Sequence, residues 1–115
     1  MTELKQQKCE ACTSASQPVT ATEIEQLKPQ ILGWEILERE GIMRLEKVYK
    51  FPDFKSAIAF TKAVGDEAEK EGHHPALLTE WGKVTVTWWT HAISGLHKND
   101  FVMAAKTDAV KESIS

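Results

Sequence analysis

His73, His74 and His91 are the residues whose type and spacing most suggest chemistry. The first two stand in Glu69-Lys70-Glu71-Gly72-His73-His74-Pro75, at the exit of a helical pattern. The third follows a strand-like run, Val84 to Trp89. Glycine is the residue a helix most often uses just past its end, and Pro75 stops the helix from resuming while biasing His74 toward extended backbone. Imidazole exchanges protons near neutrality, with an unperturbed pKa of about 6.5. Two imidazoles at a helix exit and one at a strand end, converging on one pocket, predict acid/base chemistry. Glu69, one turn before His73, is either a polarising partner for an imidazole or part of a solvated acidic face, to which Asp66 and Glu67 belong.

Competing chemistries fit less well. Adjacent histidines on extended backbone point to opposite sides, so His73 and His74 are badly placed to share a metal ion, and the HExxH spacing is absent. No metal site is expected. The chain has no G-x-S-x-G elbow and no glycine-rich phosphate loop, which leaves nucleophilic catalysis and nucleotide binding without support. Cys9 and Cys12 are spaced C-x-x-C in a polar leader, outside the βαβ context of a thioredoxin site and with only two of the four ligands of structural zinc. A reduced thiol pair is the simpler reading, and zinc completed by a second subunit is the alternative. Trp34, Trp81, Trp88 and Trp89 are core or interface residues by type, and any of them near the histidines can pack on a flat heterocycle.

The frame that must position these groups is a single domain. The chain has 115 residues, 42% hydrophobic and 27% charged, which is ordinary for a soluble globular protein. A net charge of −3 argues against a nucleic-acid-gripping protein. No apolar run approaches the roughly 20 residues of a membrane span, and residues 1–5 show no secretory signal, so no membrane is expected and the cytoplasm is the expected location. Residues 1–18 read as a polar tail and 19–115 as the domain.

Thr20-Ala21-Thr22-Glu23 is a capping-box signature opening a short helix that Pro29 ends or bends. Trp34 to Glu40 and Ile42 to Phe51 predict a hairpin about Gly41, with Lys47 interrupting the apolar face of the second strand. Asp53 then starts the longest helix, whose core stripe is expected at Phe54, Ala57, Ile58, Thr61, Val64 and Ala68. Leu77 to Glu80 and Val84 to Thr90 form a second hairpin. In it Val84, Val86 and Trp88 face the core, while Thr85, Thr87, Trp89 and His91 face a pocket or a partner subunit. A last helix spans 98–111, with Phe101, Ala104, Ala105 and Ala109 inward. The class is α+β: a four-stranded antiparallel sheet with helices packed on one face.

An ordered run of motifs carries a resemblance. Glu69-x-x-x-His73-His74-Pro75, Val84-x-Val86, Thr90-His91 and Gly95-Leu96-x-x-x-Asp100 resemble the pterin-4a-carbinolamine dehydratase family, bacterial type. Thr20-x-x-Glu23-Ile24, Gly33-Trp34 and Phe51-x-Asp53-Phe54 extend the likeness over about residues 20 to 110. The resemblance implies dehydration of 4a-hydroxytetrahydropterin, the product of aromatic amino acid hydroxylases, to quinonoid dihydropterin, with no metal or organic cofactor. It implies a homodimer or homotetramer. It places His73, His74 and His91 around the pterin as catalytic residues, with Glu69, Pro75, Thr90, Ala92, Ile93, Asp100 and Trp34 lining the site. His97 departs from the family, where many members carry a threonine that caps the last helix. Members also serve as partner-binding modules, so an aromatic amino acid hydroxylase or a transcriptional regulator is the alternative class of partner, with no direct nucleic-acid binding.

Overall fold

The computed structural model describes residues 4–7, 9 and 17–114. Helix α1 spans Ala21–Leu27, and its first turn closes reciprocally: Thr20 Oγ1 accepts the Glu23 N–H, and Glu23 Oε1 accepts the Thr20 N–H. Pro29 sits in a following 3₁₀ turn, Lys28–Gln30, so the chain tightens there. Strands β1 (Glu35–Arg39) and β2 (Ile42–Lys50) make the first hairpin. Helix α2 covers Phe54–Glu71, strands β3 (Ala76–Glu80) and β4 (Lys83–Trp88) make the second hairpin, and α3 covers Lys98–Ile114.

The sheet order is β1-β2-β4-β3, antiparallel throughout. Period-two alternation sends Leu45 and Tyr49 of β2 and Val84, Val86 and Trp88 of β4 to the face covered by α2 and α3, where all five are buried. Fully burying each such side chain is worth about 1.5–3 kcal/mol. The opposite face carries Arg44, Glu46, Val48, Thr85, Thr87, Trp89 and Leu78. Each hairpin pairs as the alternation predicts.

The stripe of α2 differs from expectation. Ala57, Phe60, Val64 and Ala68 are its buried residues, whereas Phe54 and Ile58 are 45% and 46% exposed. Phe60 fits the 3.6-residue period through Ala57 and Val64 and packs on Tyr49 and Phe51, which rotates the helix so that Phe54 and Ile58 fall on its flank. In α3 the crowding is greater than a stripe: Phe101, Val102, Met103, Ala104 and Ala105 are all buried. Part of that cover comes from the N-terminal segment. A 3₁₀ turn, Leu4–Gln6, lies against α3 with Leu4 buried, and Lys106 Nζ donates to the Lys5 carbonyl. Cys12 lies outside the described residues.

Candidate active site

The exit of α2 is built by its backbone. Gly72 takes a left-handed conformation (φ 65°), its N–H reaches the Glu69 carbonyl, and the His73 N–H reaches back to Ala68 at 3.2 Å. This is the Schellman closure, and only glycine takes that φ without steric cost. The chain therefore turns inward at once. His73 lands 8% exposed with its ring stacked on Trp88, centroids 5.6 Å apart and planes 9° from parallel.

Asp100 meets it there. Its Oδ1 lies 2.7 Å from His73 Nε2, and its Oδ2 accepts from Thr90 Oγ1 at 2.8 Å and from the His97 N–H at 2.9 Å. The carboxyl is wholly buried. It lies in the first turn of α3. Among the described residues no group hydrogen-bonds His73 Nδ1, so the ring is held at one nitrogen and open at the other. His97, the residue before α3, does the work of the missing threonine: its Nδ1 accepts the Asn99 N–H at 3.0 Å, while Asp100 covers the His97 N–H. Imidazole caps the helix, and Nδ1 must carry no proton to do so.

His74 turns the other way, as adjacent extended residues do. Its Nε2 lies 3.0 Å from Glu69 Oε1, and both side chains are well exposed, 59% and 79%. Glu69 is thus both solvated and within hydrogen-bond reach of an imidazole, that of His74 and not of His73. His91 begins a 3₁₀ turn, His91–Ile93, pinned by a bridge between Thr90 and Gly95. Its ring contacts Trp89 with centroids 4.7 Å apart. Trp88 and Trp89 lie on opposite faces of β4, so His73 and His91 approach the end of that strand from its two sides. Pro75 is half-buried beside β3, Ala92 is exposed and Ile93 half-buried in the turn.

Trp34 stands apart from these residues. Its Nε1 donates to both oxygens of Asp108, and its ring meets Tyr49 edge-on at 6.3 Å. Asp108 lies two turns beyond Asp100, about 12 Å along the helix. It also accepts from Lys47 Nζ at 2.9 Å and from the Tyr49 hydroxyl in a short hydrogen bond. Burial first, then the bond to Asp108, pushes the Tyr49 phenol far above its usual range. A cavity of about 580 Å³ opens beside this cluster. Lys47, the interruption in the apolar pattern of β2, is explained by it.

Two residues that the sequence reading did not place at the site touch it. Trp88 carries the His73 ring, a role that its core-face position concealed. Cys9 donates its N–H to Glu71 Oε1 at 2.8 Å and brings its sulfur 4.0 Å from the Asn99 carbonyl, so it links residues close in sequence to His73 and to Asp100. Among the described residues no three His, Cys, Asp or Glu side chains are grouped to hold a metal ion, and no helix is long and apolar enough to cross a membrane.

A four-stranded antiparallel sheet with helices on one face and a histidine pair at the helix exit is the pterin dehydratase class of fold. A crystal structure described as a transcriptional coactivator/pterin dehydratase from Brucella melitensis matches it with a TM-score of 0.73 at 30% identity, over 82% of this chain and 98% of that one. A pterin dehydratase-like protein identified as a RuBisCO assembly factor in the alpha-carboxysome matches with a TM-score of 0.57 at 22% identity, over 68% and 88% of the two chains, and so shares the fold. The family model for Pterin 4 alpha carbinolamine dehydratase matches residues 17–110, and the chain belongs to that family. A protein of Microcystis aeruginosa, provisionally named a pterin-4-alpha-carbinolamine dehydratase, is 66% identical over 96% of this chain and 95% of its own length. One of Gloeobacter violaceus with a similar provisional name is 60% identical over 96% of each.

Proposed function

We propose that the protein dehydrates 4a-hydroxytetrahydropterin to quinonoid dihydropterin, recycling the pterin of aromatic amino acid hydroxylases. The reaction breaks the C4a–O bond and the N5–H bond, forms C4a=N5 and releases water. It needs a proton delivered to the leaving hydroxyl and a base for N5. The observation that carries the reading is the His73–Asp100 pair in a chain of this family: a buried carboxylate fixes one imidazole nitrogen and leaves the other unpartnered.

In this scheme His73 donates to the 4a-hydroxyl, because the wholly buried Asp100 carboxylate, little screened by water, stabilises the imidazolium that must form. His74, held by the exposed and well-screened Glu69, takes the N5 proton. His91, backed by Trp89, faces the substrate from the other side of β4, with Thr90, Pro75, Ala92 and Ile93 forming the rim. Positioned acid and base groups contribute about 10²–10⁴-fold each. The test is the pH–rate profile of wild type beside His73→Ala, His74→Ala and His91→Ala. Loss of one limb in His73→Ala and of the other in His74→Ala is expected; profiles unchanged in all three would sink the scheme.

A second reading, a partner-binding module, draws support from the sheet face opposite α2 and α3, where Val48 and Leu78 are exposed, and from the coactivator and assembly-factor descriptions of the structural neighbours. Capture of a hydroxylase or a regulator by a His73→Ala/His74→Ala double variant as efficiently as by wild type would separate that role from catalysis.

A further inference from the structure

Among the described residues, Arg44 on the open face of the sheet makes no ion pair and lies instead on an indole. Arg44 and Trp89 follow the last pair of the β2–β4 ladder, Leu45–Trp88, and the Arg44 guanidinium carbon lies 4.2 Å from the centroid of the Trp89 ring. Glu46 is near enough to feel it but is already engaged. Two hydrogen bonds from Arg39, at 2.5 and 2.9 Å, and one from Thr87 at 2.8 Å fill its oxygens. The Arg39 hydrogen bonds are the chief reason the Glu46 carboxyl sits below the usual range, with the Arg44 charge only a minor contributor. Glu35, opposite Glu46 in the β1–β2 ladder, shares this face, so Arg44 is distinguished by its seat on the indole and not by a surplus of charge. The hydrogen bond found for Arg44 is a long one, Nη2 to the Arg39 carbonyl at 3.5 Å, and its Nε is buried without any partner. An orphaned buried donor is costly and uncommon in folded proteins. Here an aromatic ring, not a carboxylate, holds the guanidinium in place, which keeps its planar edge available for bidentate recognition of an oxyanion.

The same indole touches the His91 imidazole. Cation and imidazole therefore lie within one indole's reach of each other. In the pterin ring N5 is bonded to C4a on one side and to C6 on the other, and C6 bears the variable substituent. In the proposed scheme His74 serves N5 and His91 faces the substrate from the Trp89 side, so the C6 substituent, next to N5, is the variable group within reach of that side. We infer that Arg44, laid on Trp89, is a specificity-determining subsite for an anionic oxygen group, a carboxylate or a phosphate, on the C6 substituent of the pterin. The ligand oxygens are met by the guanidinium Nη groups, of which only Nη2 has a hydrogen bond among the described residues, and that a long one. The inference rests on the dehydratase reading and adds to it a preference among pterins.

The test compares binding of pterin-6-carboxylate and 6-methylpterin, both stable and fluorescent, to the full chain and to Arg44→Gln near neutral pH. The variant's melting curve is recorded alongside to confirm that it folds. Wild type should bind the carboxylate about tenfold tighter, a typical worth for a charge-assisted pair, and that ratio should collapse toward one in Arg44→Gln. A phosphate ester in place of the carboxylate tells which oxyanion the edge fits better. A ratio near one in wild type, or one that survives in Arg44→Gln, overturns the subsite and leaves the dehydratase reading standing. Binding of neither pterin, with no acceleration of carbinolamine decay, removes both.

Discussion

Two aspartates of α3, Asp100 and Asp108, each gather three donors, and the contrast between them separates chemistry from bracing. Asp100 is wholly buried and takes its donors from the ends of elements: His73 after α2, Thr90 after β4 and the backbone of His97 before α3. Asp108 is 26% exposed and takes its donors from the covered side of β1 and β2: Trp34, Lys47 and Tyr49. The ends of elements are where a substrate can reach a side chain, and one of Asp100's partners is an imidazole with a second nitrogen unpartnered. Asp108 closes an ion pair and a phenol bond that are complete without a ligand. In the proposed scheme the same carboxylate, two turns apart, orients a proton carrier in one place, while in the other it ties the sheet to the helix.

The largest expected effect breaks the first cluster. Asp100→Asn keeps the shape but removes the charge behind His73, and dehydration should fall by about 10²–10⁴ with the fold retained; a variant at full rate would show that His73 needs no orienting carboxylate. Asp100→Ala strands three buried donors at about 1–3 kcal/mol each, so its thermal midpoint should drop well below that of any Asp108 variant. Asp108→Asn should cost only about 1–2 kcal/mol in denaturant unfolding and leave the dehydration rate alone, since water can replace part of what is lost. A rate collapse there would merge the two clusters into one site.

Smaller effects sharpen the contrast through pH. Tyr49 is the chain's single tyrosine, so tyrosinate absorbance reports it alone. Its phenol is raised by burial and by Asp108, so the stabilisation it gives is complete below the unfolded value of about 10 and is lost as pH rises above it. Tyrosinate should therefore appear only together with alkaline unfolding; reversible titration near pH 10 in a folded protein would contradict the buried bond to Asp108. The smallest effect lies outside both clusters, at the start of α2. Asp53 accepts the Ser56 N–H at 2.7 Å, which holds its carboxyl below the usual range. The stabilisation is present above about pH 4 and fades as pH falls through the lowered value, so the melting difference between wild type and Asp53→Ala should narrow in acid.

Much of this was legible in the residue pattern. Period-two alternation set both hairpins on their correct faces, and Gly72 with Pro75 marked the exit where the histidines sit. The opposite directions of His73 and His74 follow from extended backbone, but which of them is buried depends on Trp88 and Asp100, which the fold brings in from later in the chain. The stripe of α2 was right at Ala57, Val64 and Ala68 but took in Phe54 and Ile58, apolar residues on an uncovered flank, and missed Phe60. The Asp108 cluster left little trace, since only Lys47 and Tyr49 share a strand face, while Trp34 and Asp108 come from distant parts of the chain; the lysine interrupting β2 alone hinted at it. His97 looked like a lost cap because threonine caps through an oxygen, and only the ring geometry reveals a nitrogen in that role.

The most direct measurement follows the decay of chemically generated 4a-hydroxytetrahydropterin by rapid-mixing absorbance, alone, with the wild-type protein and with His74→Ala. Acceleration by wild type that is lost in the variant is the result expected of histidine acid/base dehydration at this site. A folded wild type that leaves the decay at its uncatalysed rate would contradict it and move the partner-binding reading to the front.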